Sequence, residues 1–195
     1  MHQTRAVTIA NEIIQLYEQY GGSEYAGEKL TQLEHMVQAA RLAEQEGYEE
    51  EVILAAFLHD IGHICVSAQE HNAMDGWGIK DHEEVGAVFL REKGFSKRLA
   101  RLVESHVEAK RYLTWKDPLY YEQLSEASKK TLEYQGGPMF TDEAVAFEKH
   151  PLFNLIIQMR HWDDVAKIEH LETGDLEKYR AMLIRHLENN VIIRY

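Results

Sequence analysis

The chain has a single cysteine, Cys65. No disulfide can close within it, which suits a reducing compartment, and the expected location is the cytoplasm. Prolines are almost as scarce, Pro118, Pro138 and Pro151 being the only three in 195 residues. With no repeat, no low-complexity stretch and no linker, nothing divides the sequence, and one domain spanning residues 1–195 is expected. Long apolar runs are missing as well. None approaches the ~18 residues of a membrane span, and the first turn is polar and charged where a signal peptide would be apolar. The protein is therefore expected to be soluble, with no membrane partner. Basic charge is in deficit, 21 Lys and Arg against 33 Asp and Glu, for a net charge of -12. Phosphate backbones and anionic membranes are captured by an excess of Lys and Arg, so no nucleic acid is expected as a partner. An anionic ligand would have to meet a local basic pocket.

Alternating strand patterns are also absent, and helical periodicity takes their place. Ile9, Ile13, Leu16, Tyr17 and Tyr20 follow one helix face that stops at Gly21-Gly22. A second helix is expected from about Thr31 to Gly47, carrying Leu33, Met36, Val37, Ala40 and Ala43, and a third from about Glu50 to Gly62. Asp81 followed by Glu84 has the spacing of a capping box, opening a helix that ends near Gly94. Ser96 then caps another through about Lys110, so that the two form a short-loop hairpin. Beyond a Tyr-rich connection, Ser125 to Gln135 reads as a helix stopped by Gly136-Gly137-Pro138, Pro151 is placed to start the next, and Asp175 to cap the last. The fold class is all-α, a helical bundle with an irregular segment between about Cys65 and Asp81. Such long segments are often functional.

The chemistry lies in where the histidines fall. Leu99, Leu102, Val103 and His106 occupy i, i+3, i+4 and i+7, so His106 points into the bundle with the apolar stripe. Leu152, Leu155, Ile156 and Met159 lead in the same way to Asp163. A carboxylate on a core stripe is costly to bury unless something neutralises it, and a metal ion does so. The run from Ala55 to His63 delivers His59, Asp60 and His63 at the end of a small-residue helix. A single core-facing histidine is more often hydrogen-bonded than metal-bound, and His186 on the last helix is read that way. The joint occurrence of His35, His59-Asp60, His82, His106 and Asp163, each on a separate helix or helix end, is what argues for metal. Four imidazoles and two carboxylates without thiolate make a borderline-hard site that suits Fe or Mn and leaves zinc open.

His35, the His59-Asp60 pair and Asp163 resemble the H, HD and D signature of the HD-domain superfamily, whose fold is an all-α bundle. His82 and His106 resemble the additional ligands of its dinuclear members. Gln32-Leu33-Glu34-His35, the run Leu58 to His63, and the stretch Ser125 to Met139 are similar to the HD-domain oxygenases that cleave carbon–phosphorus bonds and are related to inositol oxygenase. The similarity covers roughly residues 24 to 187. It implies two iron ions in a mixed-valent Fe(II)/Fe(III) centre, with O2 as cosubstrate. One iron would take His35, His59, Asp60 and Asp163, and the other the bridging Asp60 with His82 and His106. The implied substrate is a 1-hydroxy-2-aminoethylphosphonate, with a free or N-methylated (up to trimethylammonium) amine, converted to glycine or glycine betaine plus phosphate. An enzyme such as a 2-oxoglutarate-dependent hydroxylase would be the pathway partner that makes it. The resemblance also implies substrate contacts for Gln32, Lys110, Ser128 and Arg160. His63 would serve as a further catalytic contact near the metals. In Tyr25-Ala26-Gly27-Glu28, Tyr25 would occupy an iron position without substrate, and Glu28 would sense the cationic nitrogen.

Lys110 lies one helical turn after His106, which lets its ammonium face the same cavity. For Lys110 and Arg160 the bland alternative is a solvated salt bridge, and for Ser128 a helix cap. Trp77 and Tyr112 are candidates to offer aromatic faces to a methylated ammonium. The alternative activity is a metal-dependent phosphohydrolase on the same ligands, in which metals activate water. A non-enzymatic sensory module comes third, since such modules usually lack ligands or carry a second domain.

Overall fold

Apolar residues recurring every three to four positions need a partner face, and the ten α-helices among the described residues supply it to one another. A computed structural model describes residues 2–25, 27–66 and 73–192. Among these the order is α1 His2–Tyr20, α2 Gln32–Gln45, α3 Glu50–Leu58, a 3-10 turn Ile61–His63, α4 His82–Lys93, α5 Lys97–Lys116, α6 Pro118–Gln123, α7 Glu126–Tyr134, α8 Thr141–Phe147, α9 Phe153–Val165 and α10 Glu177–Ile192. Two isolated bridges, Glu24 to Thr31 and Ala73 to Ile79, are the extended pairings among the described residues. No described helix is long and apolar enough to cross a membrane.

Helix α3 is the centre. Every residue from Val52 to Leu58 is buried, as expected of a helix apolar on all sides. Helices α2, α5, α9 and α10 pack around it, α1 lies on α10, and α4 packs on α5 and on the 3-10 turn. Phe57 stacks between Tyr17 and Tyr179, with ring centroids 4.5 and 4.3 Å away, and the Tyr17 hydroxyl donates to the Phe57 carbonyl. The core thus gains aromatic burial without an orphaned hydroxyl.

Several starts are where capping chemistry puts them. Thr31 and Glu34 close a capping box on α2, Ser96 accepts from the Leu99 amide, Ser125 from that of Ser128, and Asp175 from that of Glu177. Other expectations are corrected. Helix α1 begins well before Ile9, and Tyr20 is exposed instead of continuing the apolar face. The Asp81 and Glu84 capping box does not form, because Asp81 adopts a left-handed φ of 57° that turns its carboxylate away from the amides. Helix α5 runs past Lys110 to Lys116, since Ala109, Tyr112 and Thr114 are still buried. The Tyr-rich connection contains α6, capped by Asp117 with Pro118 in its first turn, and α8 precedes Pro151.

The third helix stops at Leu58, short of the expected Gly62. Gly62 works as a contact point instead. A Cβ there would lie 1.9 Å from the His82 carbonyl oxygen and 3.0 Å from the Gly86 amide, so only glycine lets the 3-10 turn touch the backbone of α4. Part of the irregular segment expected between Cys65 and Asp81, residues 67–72, falls outside the described residues.

Candidate metal centre

His35 comes from α2, His59 and Asp60 from the residues just past α3, His82 from the first turn of α4, His106 from α5 and Asp163 from the last turn of α9. None is more than 4% exposed. Asp60 stands between two pairs of rings. Its Oδ2 lies 3.6 Å from His35 Nε2 and 3.4 Å from His59 Nε2, while its Oδ1 lies 3.2 Å from His82 Nε2 and 3.3 Å from His106 Nε2. Asp163 Oδ1 joins the first pair, 3.2 Å from His35 and 3.9 Å from His59. The end of α3 produces this arrangement, because His59 and Asp60 leave the helix before the 3-10 turn begins.

The other nitrogen of each ring decides its protonation. His35 Nδ1 faces the Ala166 carbonyl at 2.9 Å, His59 Nδ1 that of Ala56 at 2.8 Å, His82 Nδ1 that of Ile79 at 3.2 Å, and His106 Nδ1 that of Val103 at 2.7 Å. A carbonyl only accepts, so all four rings carry their proton on Nδ1 and, when neutral, aim a bare lone pair from Nε2 at the centre. His35 and His59 Nε2 are 3.1 Å apart, and His82 and His106 Nε2 are 2.9 Å apart. Two bare nitrogens at such distances repel, and a cation between them removes the conflict. The donor set therefore fits two metal ions sharing Asp60. His63 has the opposite tautomer. Its Nδ1 accepts from the Ile79 amide at 3.1 Å, so a neutral ring carries its proton on Nε2 and is a donor. His63, His82 and Asp60 lie close enough together to hold an ion, yet this hydrogen bond argues against His63 as a ligand. Its ring also stacks on that of His82 at 3.9 Å.

Burial alone would raise the Asp60 pKa, but His59, His106 and His82 hold it well below the usual carboxylate range. Asp163 is likewise kept ionised against its burial, chiefly by the Arg160 guanidinium and His35. Burial lowers the pKa of His59, but Asp60 and Asp163 outweigh it and carry the ring up to about 9. These shifts all express one fact: two buried carboxylates here demand positive charge.

A cavity of about 50 Å³ opens against the cluster. Lys110 reaches into it almost fully buried, donates to Thr131 Oγ1 at 2.8 Å, and has its pKa pushed down to about 7, first by burial and then by Arg160. Arg160, which sequence alone could place on the surface, is buried and bonded to Asp163, Asp164 and Tyr120. Tyr25 stacks on His35 at 4.1 Å, and burial with Asp60 nearby raises its pKa. Glu28, Gln32, His63 and Ser128 line the same cavity. Tyr112 does not. It packs against Phe147 and Phe153 and donates to Glu148, so the pairing of Trp77 with Tyr112 expected for a methylated ammonium is not formed, and Trp77 lines the cavity without it.

The sequence reading missed Thr131, Gln135 and Lys167. Ser128, Thr131 and Gln135 follow i, i+3 and i+7 along α7 and its end, a polar stripe that could have been noticed. Gln32 and Gln135 each bury an Oε1 beside the cavity without a hydrogen-bond partner among the described residues. Lys167 left no pattern, because it acts from the turn after α9. His186 behaves as expected of a satisfied histidine, accepting from the Ser96 amide and stacking on Phe95.

The HD-domain family model matches residues 33–133. An uncharacterized protein of Acanthamoeba polyphaga mimivirus is 47% identical over 93% of this chain and 84% of its own length. The [1-hydroxy-2-(trimethylamino)ethyl]phosphonate dioxygenase (glycine-betaine-forming) of Leisingera caerulea is 41% identical over 90% of this chain and 89% of its own. The hydroxymethylphosphonate dioxygenase of Gimesia maris is 38% identical over 91% and 88%.

Proposed function

Because the chain belongs to the HD-domain family and to its branch of phosphonate dioxygenases, we propose that it uses two irons and O2 to break the carbon–phosphorus bond of a small 1-hydroxyphosphonate. The reaction balances as R–CH(OH)–PO3(2−) plus O2 giving R–COO(−), HPO4(2−) and a proton. One oxygen is gained at carbon and one at phosphorus. The observation that carries the reading is the sorting of histidines: four rings fixed by backbone carbonyls with Nε2 bare toward Asp60, and a fifth fixed the other way. His35, His59, Asp60 and Asp163 would hold one iron, and Asp60, His82 and His106 the other. Iron bound there supplies O2 activation and redox chemistry that no side chain provides.

The chain's own residues account for the rest. Lys110, Arg160 and Ser128 bring two cations and a hydroxyl to one cavity in a molecule of net charge -12, a local basic pocket for the phosphonate dianion. His63, which lines the cavity with Nε2 as its donor, would offer that hydrogen to a substrate oxygen. Tyr25 and Trp77 give the cavity two aromatic walls. The cavity favours small substrates, of the hydroxymethylphosphonate or 1-hydroxy-2-aminoethylphosphonate size, with the amine free or methylated. A phosphohydrolase of large phosphoesters would find little room.

Iron-loaded protein offered a panel of 1-hydroxyphosphonates should release one phosphate per O2 consumed, with a mixed-valent diiron signal by electron paramagnetic resonance. Phosphate released equally well without O2 would replace this reading with hydrolysis.

A further inference from the structure

Lys167 stands where three segments meet. Its Nζ lies 2.8 Å from Glu28 Oε1, 3.0 Å from Ser125 Oγ and 3.4 Å from Ser128 Oγ. Glu28 belongs to the loop between α1 and α2, the serines to the start of α7, and Lys167 itself to the turn after α9. Glu28 and Ser128 both line the cavity. The Lys167 and Glu28 side chains are 18% and 15% exposed, which makes their ion pair drier than the surface pairs elsewhere on the molecule. The other described ties of that loop are the Tyr25 amide to Leu30, the Glu28 amide to Tyr25, the bridge from Glu24 to Thr31, Trp77 lying against Gly27, the Tyr25 ring on His35, and the exposed pair of Lys29 with Glu169; among these the Lys167 contacts are the ones that join Glu28 to the start of α7.

We infer that Lys167 is a positioning residue, a clasp that fixes the Tyr25 to Glu28 loop against α7 and so sets the spacing between two walls of the substrate cavity. The inference takes its substrate from the function proposed above, but the clasp itself rests on the three contacts. Two consequences follow from the geometry. Tyr25 shares its loop with Glu28, so a loosened clasp loosens the ring stacked over His35. Glu28 is already neutralised, so a substrate ammonium meets a carboxylate that it must share with Lys167 instead of a bare charge.

Lys167→Met and Lys167→Arg decide the matter in the iron-loaded protein. Hydrogen exchange without substrate should quicken at the Tyr25 and Glu28 amides in Lys167→Met by about tenfold or more, and return toward wild type in Lys167→Arg. The KM for whichever hydroxyphosphonate the wild type turns over should rise about tenfold with kcat within about twofold, at unchanged iron content. In a Glu28→Gln background, where the pair is already broken, Lys167→Met should add little further exchange; this background also serves if Lys167→Met alone folds poorly. Unchanged exchange overturns the clasp. A raised KM without faster exchange overturns it too, because Lys167 would then touch the substrate directly, and faster exchange with an unchanged KM severs the loop from substrate binding. Should the wild type turn over no hydroxyphosphonate, the proposed function falls, and the exchange comparison alone still decides whether Lys167 holds the loop.

Discussion

Lys110 carries an amine into a place that water hardly reaches, and its pKa drops from 10.5 to about 7 as a result. Between those values the unfolded chain holds a proton that the folded chain lacks. Stability of the metal-free protein therefore rises with pH through that window, and below about pH 7 the folded state bears the full cost of a buried ammonium. Lys110→Met should remove this pH dependence without lowering the melting temperature, which calorimetry across pH 6 to 10 would read. The same substitution should cost kcat/KM about ten- to a hundredfold, the loss of a charge-assisted hydrogen bond of roughly 1.5 to 3 kcal/mol. In the wild type kcat/KM should also fall as pH passes the Lys110 pKa upward, and the variant should lack that limb. Normal kcat/KM in Lys110→Met at full iron loading would remove Lys110 from the phosphonate site. Asp60 is the second decisive residue, since each of its oxygens faces a different pair of rings. Asp60→Ala should abolish activity and empty both metal positions, whereas His82→Ala should mainly empty one. Metal titration of the two variants would separate a bridge from an ordinary ligand: loss of a single ion in Asp60→Ala would deny the bridge.

At the scale of elements, the 3-10 turn and α4 touch backbone to backbone through Gly62. In Gly62→Ala the new methyl must displace the His82 carbonyl, and with it the ring that His82 presents to Asp60. Overpacking of this kind costs roughly 1 to 3 kcal/mol, and the variant should also lose iron. Ser96→Ala makes the contrast. It removes the cap of α5 and a bond to Glu51, far from the centre, and should cost about 1 kcal/mol with iron content unchanged. Elemental analysis beside thermal melts distinguishes the two, and a Gly62→Ala protein with wild-type iron and stability would refute the close approach. What the sequence disclosed about elements follows the same physics. Periodicity exposed His106 and Asp163, because their burial follows from the stripe that carries them. Gly62 was misread as a helix terminator, since a glycine needed for contact and one needed for a turn look alike in sequence. Asp81 has a capping spacing but a left-handed backbone imposed by the preceding turn. Lys167 was illegible altogether, for its three partners lie some 40 to 140 residues away and share no spacing.

At the scale of the whole molecule, the candidate ligands come from α2, the end of α3, α4, α5 and α9, so metal bound by them would tie together most of the fold. An ion that binds only the folded state at a thousand times its dissociation constant adds about 4 kcal/mol. For a chain of this length that corresponds to roughly 8 to 16 °C in melting temperature. Stripping iron with a chelator should lower the midpoint by that order, and iron should restore it; an unchanged midpoint would mean the ligands are held in place by packing alone. The four fixed imidazoles carry one more consequence. His59, His82 and His106 each take their orienting carbonyl from three residues upstream, so each ring is aimed as soon as its own segment folds. His35 takes its carbonyl from Ala166, 131 residues away, and is aimed only when the end of α9 has docked. The aim of His35 is therefore the one ring orientation of the four that depends on two distant segments meeting, and its ring records whether the end of α9 is in place.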